Sequence, residues 1–174
     1  MMRLVPNILF FIFFSAFLQA QEKNVFDIAR KGTLTEIQDV YKKDPALINS
    51  INDNKATPLI LASYRNNEAV ALFLSDKVSN INYNSGMGTA LMAAIMSGNK
   101  IIIEKLISLK ADLNQKDTQG KTALIYAAFN NNAELVQLLI DAGADIKLED
   151  NEKRSALDYA KFNKNTQLII LLDF

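Results

Sequence analysis

The chain has 174 residues, 19 basic against 19 acidic side chains, no His, no Cys and no Trp, with 49% of positions hydrophobic. That is room for one domain with a core of its own. A neutral balance with no Lys/Arg run longer than two lacks the positive field that nucleic-acid binding depends on. Without imidazole or thiol, disulfides, Ser-His-Asp triads, thiolate nucleophiles and the usual zinc ligand sets are excluded.

Five of the ten Phe fall at Phe10, Phe11, Phe13, Phe14 and Phe17. Met1-Met2-Arg3 gives a short basic start, residues 8–18 an apolar stretch, and Leu18-Gln19-Ala20 a cleavage site before Gln21-Glu22-Lys23. This reads as a secretory signal peptide over residues 1–20. The apolar run is about eleven residues where a bilayer span needs about twenty, so contact with the membrane is expected only in transit. No Cys follows the run to carry a lipid, and a soluble exported product over residues 21–174 is expected. Stability must then come from packing alone.

Downstream, the sequence repeats itself. Thr57-Pro58-Leu59-Ile60-Leu61-Ala62 recurs as Thr89-Ala90-Leu91-Met92-Ala93-Ala94, Thr122-Ala123-Leu124-Ile125-Tyr126-Ala127 and Ser155-Ala156-Leu157-Asp158-Tyr159-Ala160, at offsets of 32, 33 and 33. A constant period of this size predicts a stacked helical solenoid. Val70, Ile102, Leu135 and Leu168, each followed by further aliphatics at helical spacing, mark a second amphipathic helix in every unit. The Thr or Ser opening each block is a helix N-cap, and Pro58 sits in the first turn, where its missing N–H costs nothing. Ala62, Ala94, Ala127 and Ala160 let neighbouring helices approach closely. Asn66, Gly98 and Asn131 tolerate the positive φ of a tight turn between the helices; Lys164 breaks that pattern. Ser85-Gly86-Met87-Gly88, Asp117-Thr118-Gln119-Gly120 and Asn151-Glu152-Lys153 have turn chemistry and form finger-like projections.

The stretch from Asp117-Thr118-Gln119-Gly120-Lys121-Thr122-Ala123-Leu124 to Leu138-Leu139-Ile140-Asp141-Ala142-Gly143-Ala144-Asp145 resembles an ankyrin repeat. The resemblance implies an all-α ankyrin-repeat solenoid of about five helix-turn-helix units: a degenerate N-terminal cap over residues 24–51 and repeats over 52–83, 84–116, 117–149 and 150–174. Two departures stand out. The family's usual His after Thr-Pro-Leu is replaced by Ile60, Met92, Ile125 and Asp158, so the bonds it makes between repeats must be absent or replaced, and the loop 78–84 is read as one residue short.

The family consists of binding modules, and the resemblance places a protein partner on the concave face made by the projecting turns and first helices. Carried over unit by unit, that face includes Tyr64 and Arg65, Met96 and Ser97, Lys121, Phe129 and Asn130, and Arg154, Phe162 and Asn163. Tyr64, Met96, Phe129 and Phe162 recur at offsets of 32, 33 and 33 and must form one line across the stack. Exposed, such a line has the composition of an interface hot spot; leaning inward, it would be packing between first helices.

Other readings are weaker. Met87, Met92 and Met96 suggest a soft-metal thioether set, but Met at this spacing is ordinary core filling. Mixed charge at the turns reads as a solvated rim. No catalytic residue, metal, cofactor, small-molecule substrate or nucleic acid is expected, and the chain is read as a monomer. In the last helix Ile169 and Ile170 cannot both be buried on one side, which predicts either that the helix frays or that this end meets a partner or a second copy, with local burial by Phe174 folding back the favoured outcome. The signal and the repeats together give an exported, non-enzymatic protein-binding module in the periplasm of a Gram-negative-type bacterium, and the resemblance adds a narrower version, in which such small exported proteins accompany catalases in peroxide resistance; the alternative is a secreted effector binding a protein in another cell.

Overall fold

A computed structural model of the chain describes residues 23–173; the expected signal peptide over residues 1–20 and the fold-back of Phe174 lie outside the described residues. These form ten α-helices in five pairs: α1 (Val25–Lys31) and α2 (Leu34–Lys43), α3 (Pro58–Tyr64) and α4 (Glu68–Ser75), α5 (Ala90–Ser97) and α6 (Lys100–Ser108), α7 (Ala123–Phe129) and α8 (Ala133–Asp141), α9 (Ala156–Phe162) and α10 (Thr166–Leu172). A short 3-10 turn, Pro45–Asn49, follows the first pair. The odd-numbered helices pack side by side as an inner layer, and the even-numbered ones back them as an outer layer.

The helices start where their caps dictate. Thr57, Thr89, Thr122 and Ser155 each accept the amide of the residue three further on, at 3.3 Å in all four cases, satisfying a donor that has no partner within the helix. The outer helices use asparagine: Asn99, Asn132 and Asn165 accept the amides of Ile102, Leu135 and Leu168 at 2.9, 3.0 and 3.1 Å. Ala62, Ala94, Ala127 and Ala160 are completely buried, and Ala29 in α1 joins the same column. Leu74, Leu106, Leu139 and Leu172 make a parallel buried column on the outer layer.

Between the paired helices, Asn66, Gly98 and Asn131 take positive φ of 58°, 73° and 59°. Lys164 does so too, at 54°, so the tight turn is imposed by the stack and not by residue type alone. The finger turns show why type matters elsewhere. Gly120, Lys55 and Lys153 occupy equivalent left-handed positions, but a Cβ on Gly120 would lie 2.5 Å from Oδ1 and 2.7 Å from the backbone nitrogen of Asn151 in the next finger.

The missing residue of the 32-residue offset is not in loop 78–84 as expected. Finger 85–89 is closed by a Ser85 N–H to Gly88 bond spanning three residues, where the others span four (Asn52 to Ala56, Asp117 to Lys121, Asp150 to Arg154). Helix α4 also ends a residue early, with Val78 N–H reaching Leu74, where Ala111 and Ala144 reach five residues back. Loop 78–84 carries one residue more, so only one is lost overall. At the C-terminal end, Leu168 and Leu172 are buried, Ile169 is half-buried and Ile170 is 69% exposed, which resolves the paired isoleucines by turning one to water.

Candidate functional site

The inner helices are short, and their last turns carry the apolar line. Tyr64 closes α3, Met96 lies one residue before the end of α5, and Phe129 and Phe162 close α7 and α9. Their exposures are 54%, 43%, 50% and 84%. The side chains therefore stand at the surface and do not fill the space between inner helices, which the alanines occupy. Phe162 is the most exposed of the four, at the edge of the stack.

What surrounds them differs along the line. At one end Tyr64, Arg65 and Met96 line a groove of about 480 Å³ together with Ile60, Met87 and Met92. Met87 rises from its finger at 82% exposure, while Met92 is buried in the floor. The Arg65 guanidinium lies 5.8 Å from the centroid of the Tyr64 ring. Toward the other end, Lys121 Nζ sits 5.7 Å from Tyr126, 5.3 Å from Phe129 and 5.8 Å from Tyr159, measured to ring centroids. Phe129 meets Tyr159 edge to face at 5.7 Å and 86°, and the Arg154 guanidinium covers the other ring at 4.8 Å from Tyr159. Lys121, Phe129 and Arg154 thus belong to one cluster spanning two repeats, held by cation–π and aromatic contacts.

Three polar residues of the expected face are engaged within the protein. Ser97 Oγ donates to Ala94 at 2.9 Å, Asn163 Nδ2 donates to the carbonyls of Ala128 and Phe129 at 3.2 and 3.3 Å, and Asn130 Nδ2 lies 3.8 Å from Met96 Sδ. Asn130 and Asn163 each reach into the preceding repeat. They fix the line's spacing as well as bordering it.

Reading by residue type missed a pair of tyrosine–aspartate bonds beneath the fingers, the second of them buried. Tyr126 and Tyr159 donate their hydroxyls to Asp117 and Asp150, both at 2.6 Å. The other carboxylate oxygen of Asp117 accepts the amides of Gln119 and Lys121, and that of Asp150 those of Glu152 and Arg154. Each bond ties a finger to its own inner helix. The recurrence of both residues 33 positions on, always nine apart, was the signal available. Burial, and then the bond to Asp150, push the Tyr159 phenol up from 10.0 to about 12; Tyr126 is raised in the same way. Burial alone would raise Asp150, but the Tyr159 hydroxyl and the amides of Arg154 and Glu152 outweigh it and hold the carboxyl below its ordinary range.

Among the described residues no group of three or more His, Cys, Asp or Glu is placed to hold a metal ion, and no helix is long and apolar enough to cross a membrane. The arrangement offers exposed apolar side chains on a rigid frame with cations beside them, which is the chemistry of a binding surface. A family model of ankyrin repeats, three copies, matches the chain twice, over residues 25–117 and 91–173. The chain belongs to the ankyrin repeat family. It is 27% identical over 106 residues to the rat ankyrin repeat and SAM domain-containing protein 6, and 26% identical over 106 residues to the mouse protein of that name. Each match covers 60% of this chain and 12% of the relative, so this ankyrin chain compares with a small part of those proteins. Ankyrin repeats are protein–protein interaction modules, and the exposed line lies on the inner-helix side of the stack.

Burial of the Tyr159 phenol, together with its bond to Asp150, sets an alkaline limit on the stability of this chain. Because the folded phenol keeps its proton where the unfolded one, at 10.0, has lost it, this stabilisation is complete below pH 10.0 and is lost as pH rises through about 12. Tyr159→Phe should flatten that part of the stability profile. At neutral pH it should cost about 1–3 kcal/mol, since buried Asp150 loses a donor. Chemical denaturation at neutral and alkaline pH measures both effects; a variant as stable as the parent at neutral pH would show that the bond carries no net weight.

Proposed function

We propose that this protein is an exported, non-enzymatic ankyrin module that binds a protein partner, as a monomer, across its finger turns and the ends of its inner helices. The observation that carries the reading is the repeated apolar line: four side chains in register, each 43% exposed or more, where ordinary packing would bury them. A binding surface gains most from rigid aromatic anchors surrounded by contacts that exclude water. Tyr64, Met96, Phe129 and Phe162 supply the anchors, with Arg65, Lys121 and Arg154 beside them as polar contacts.

Export rests on the sequence of residues 1–20, and the compartment favoured is the periplasm. The resemblance to small exported bacterial ankyrin proteins that accompany catalases makes a periplasmic catalase the first partner to test. Sequencing the N-terminus of the protein from fractionated cells should find a chain beginning at Gln21 outside the cytoplasm. Intact Met1 in the cytosolic fraction would end the export reading.

Phe129 lies inside the line, where water is better excluded than at its edges. Phe129→Ala should weaken partner capture by about 2 kcal/mol or more. It should cost the fold only about 1 kcal/mol, the worth of its edge-to-face contact with Tyr159. Thermal denaturation of the variant beside a binding isotherm separates the two; a fold loss of about 3–5 kcal/mol, the cost of a core phenylalanine, would refute a role at the surface.

A further inference from the structure

The groove beside Tyr64 and Met96 has a one-sided charge. Its lining includes two guanidinium groups, Arg30 and Arg65, and no carboxylate. Arg30 is occupied, with Asp27 at 3.1 Å. Arg65 is exposed, and its guanidinium lies over the ring of its own neighbour, Tyr64. Lys121 stands at the far edge, over Tyr126, which also lines the groove; it rests on aromatic faces rather than on a carboxylate. The acidic groups on this side of the stack are turned to other work. Asp117 and Asp150 are buried beneath their fingers with tyrosine hydroxyls, Asp158 closes its own helix cap, and Glu152 lies 2.7 Å from Arg154. Asp53, at the first finger tip, is the exception. Cations here therefore outnumber the carboxylates free to answer them.

The floor between Arg65 and Lys121 is apolar and adaptable. Thioethers from Met92 and Met96, with Met87 above them, accommodate a large side chain without demanding one shape. Beyond the cavity the apolar line continues as separate positions, Phe129 and Phe162, with Lys121 and Arg154 beside the intervening rings. Such alternation fits side chains spaced along a polypeptide better than a single acyl chain.

We infer that the groove takes an acidic segment of a partner polypeptide, seating one bulky apolar side chain among Tyr64, Met92 and Met96 with flanking carboxylates toward Arg65 and Lys121. This rests on the interaction-surface reading above and adds the chemistry of what is bound. Complementary charge across an open surface contributes chiefly specificity and association rate, so the preference for acid over base is the property to measure.

The test uses the full chain and three labelled peptides: a short one with a central Phe-Leu pair flanked by glutamates and carrying a photoreactive group at the Phe, the same with lysines for glutamates, and the same with serines for the apolar pair. Fluorescence polarisation should show the acidic apolar peptide binding at least about tenfold tighter than either counterpart, with the margin over the lysine peptide shrinking as salt rises. Arg65→Glu, at an exposed position, should remove most of that margin, and Arg65→Glu with Lys121→Glu should reverse it; circular dichroism verifies that both variants are folded. Crosslinks should map to the strip from Tyr64 to Met96. Equal or tighter binding of the lysine peptide overturns the acidic assignment and leaves the concave-surface reading standing. Crosslinks on the outer helices overturn both. A groove that takes oleate but none of the peptides overturns the polypeptide assignment in favour of a lipid, and no binding by any probe overturns the proposal as well.

Discussion

Everything in this structure depends on how closely the inner helices approach one another. Ala29, Ala62, Ala94, Ala127 and Ala160 stand one per helix, each with no exposed surface. A methyl group is the largest side chain that keeps this spacing, and interiors packed at crystal-like density do not absorb extra methylenes without strain. Close approach at that column leaves larger side chains either packed on the helix faces beside it, as Leu91, Ile95, Leu124 and Ile125 are, or at the helix ends. That is why Tyr64, Met96, Phe129 and Phe162, one turn or less from the end of each inner helix, stand in water. The exposed apolar line is thus a consequence of the packing rule and not a decoration added to it.

A polar seam runs beside the apolar column. Asn67 is an example: instead of capping α4 it donates through Nδ2 to the carbonyls of Ile28, Ala29 and Gly32, at 3.4, 3.2 and 2.9 Å, sealing the C-terminal end of α1. Asn49 accepts from Ser79, Asn82 from the Asp112 amide, Asn114 from the Asp145 amide. Fingers are joined in the same manner, with Asn151 donating to Thr118 and Gln119, and Thr118 to Gly86. These bonds join successive repeats without any histidine. At the histidine position itself, Met92 and Ile125 are buried as apolar filling, and Asp158 holds its own cap. Buried or half-buried backbone groups at helix ends need partners, and here the next repeat supplies them, so register and hydrogen bonding enforce each other.

The repeat phase, the caps and the alanine column were legible because each is a residue type recurring at a fixed offset. The line from Tyr64 to Phe162 was legible as a line, but its direction was not: an aromatic at the end of a seven-residue helix suits either a core or a surface until the helix spacing is known. The asparagine seam was hidden because its partners are mostly backbone groups in the neighbouring repeat, which leave no mark in the sequence. Lys164 was misleading for the opposite reason. Its type argues against positive φ, yet the bonds around it, Lys164 N–H to Lys161 and Asn165 N–H to Ala160, hold the turn. The shortened finger at 85–89 was legible as a missing residue and not as a place, since offsets count residues without locating them.

The most direct test of the packing rule is the stability of Ala127→Leu. Ala127 lies in α7, with α5 on one side and α9 on the other, so a larger side chain has no solvent to turn toward. Equilibrium denaturation by urea should show a loss of about 1–3 kcal/mol, the ordinary cost of overpacking a well-filled core, with the helical signal of the folded state retained. A denaturation midpoint equal to that of the parent chain would contradict the account, because the inner helices would then not meet at the alanine column.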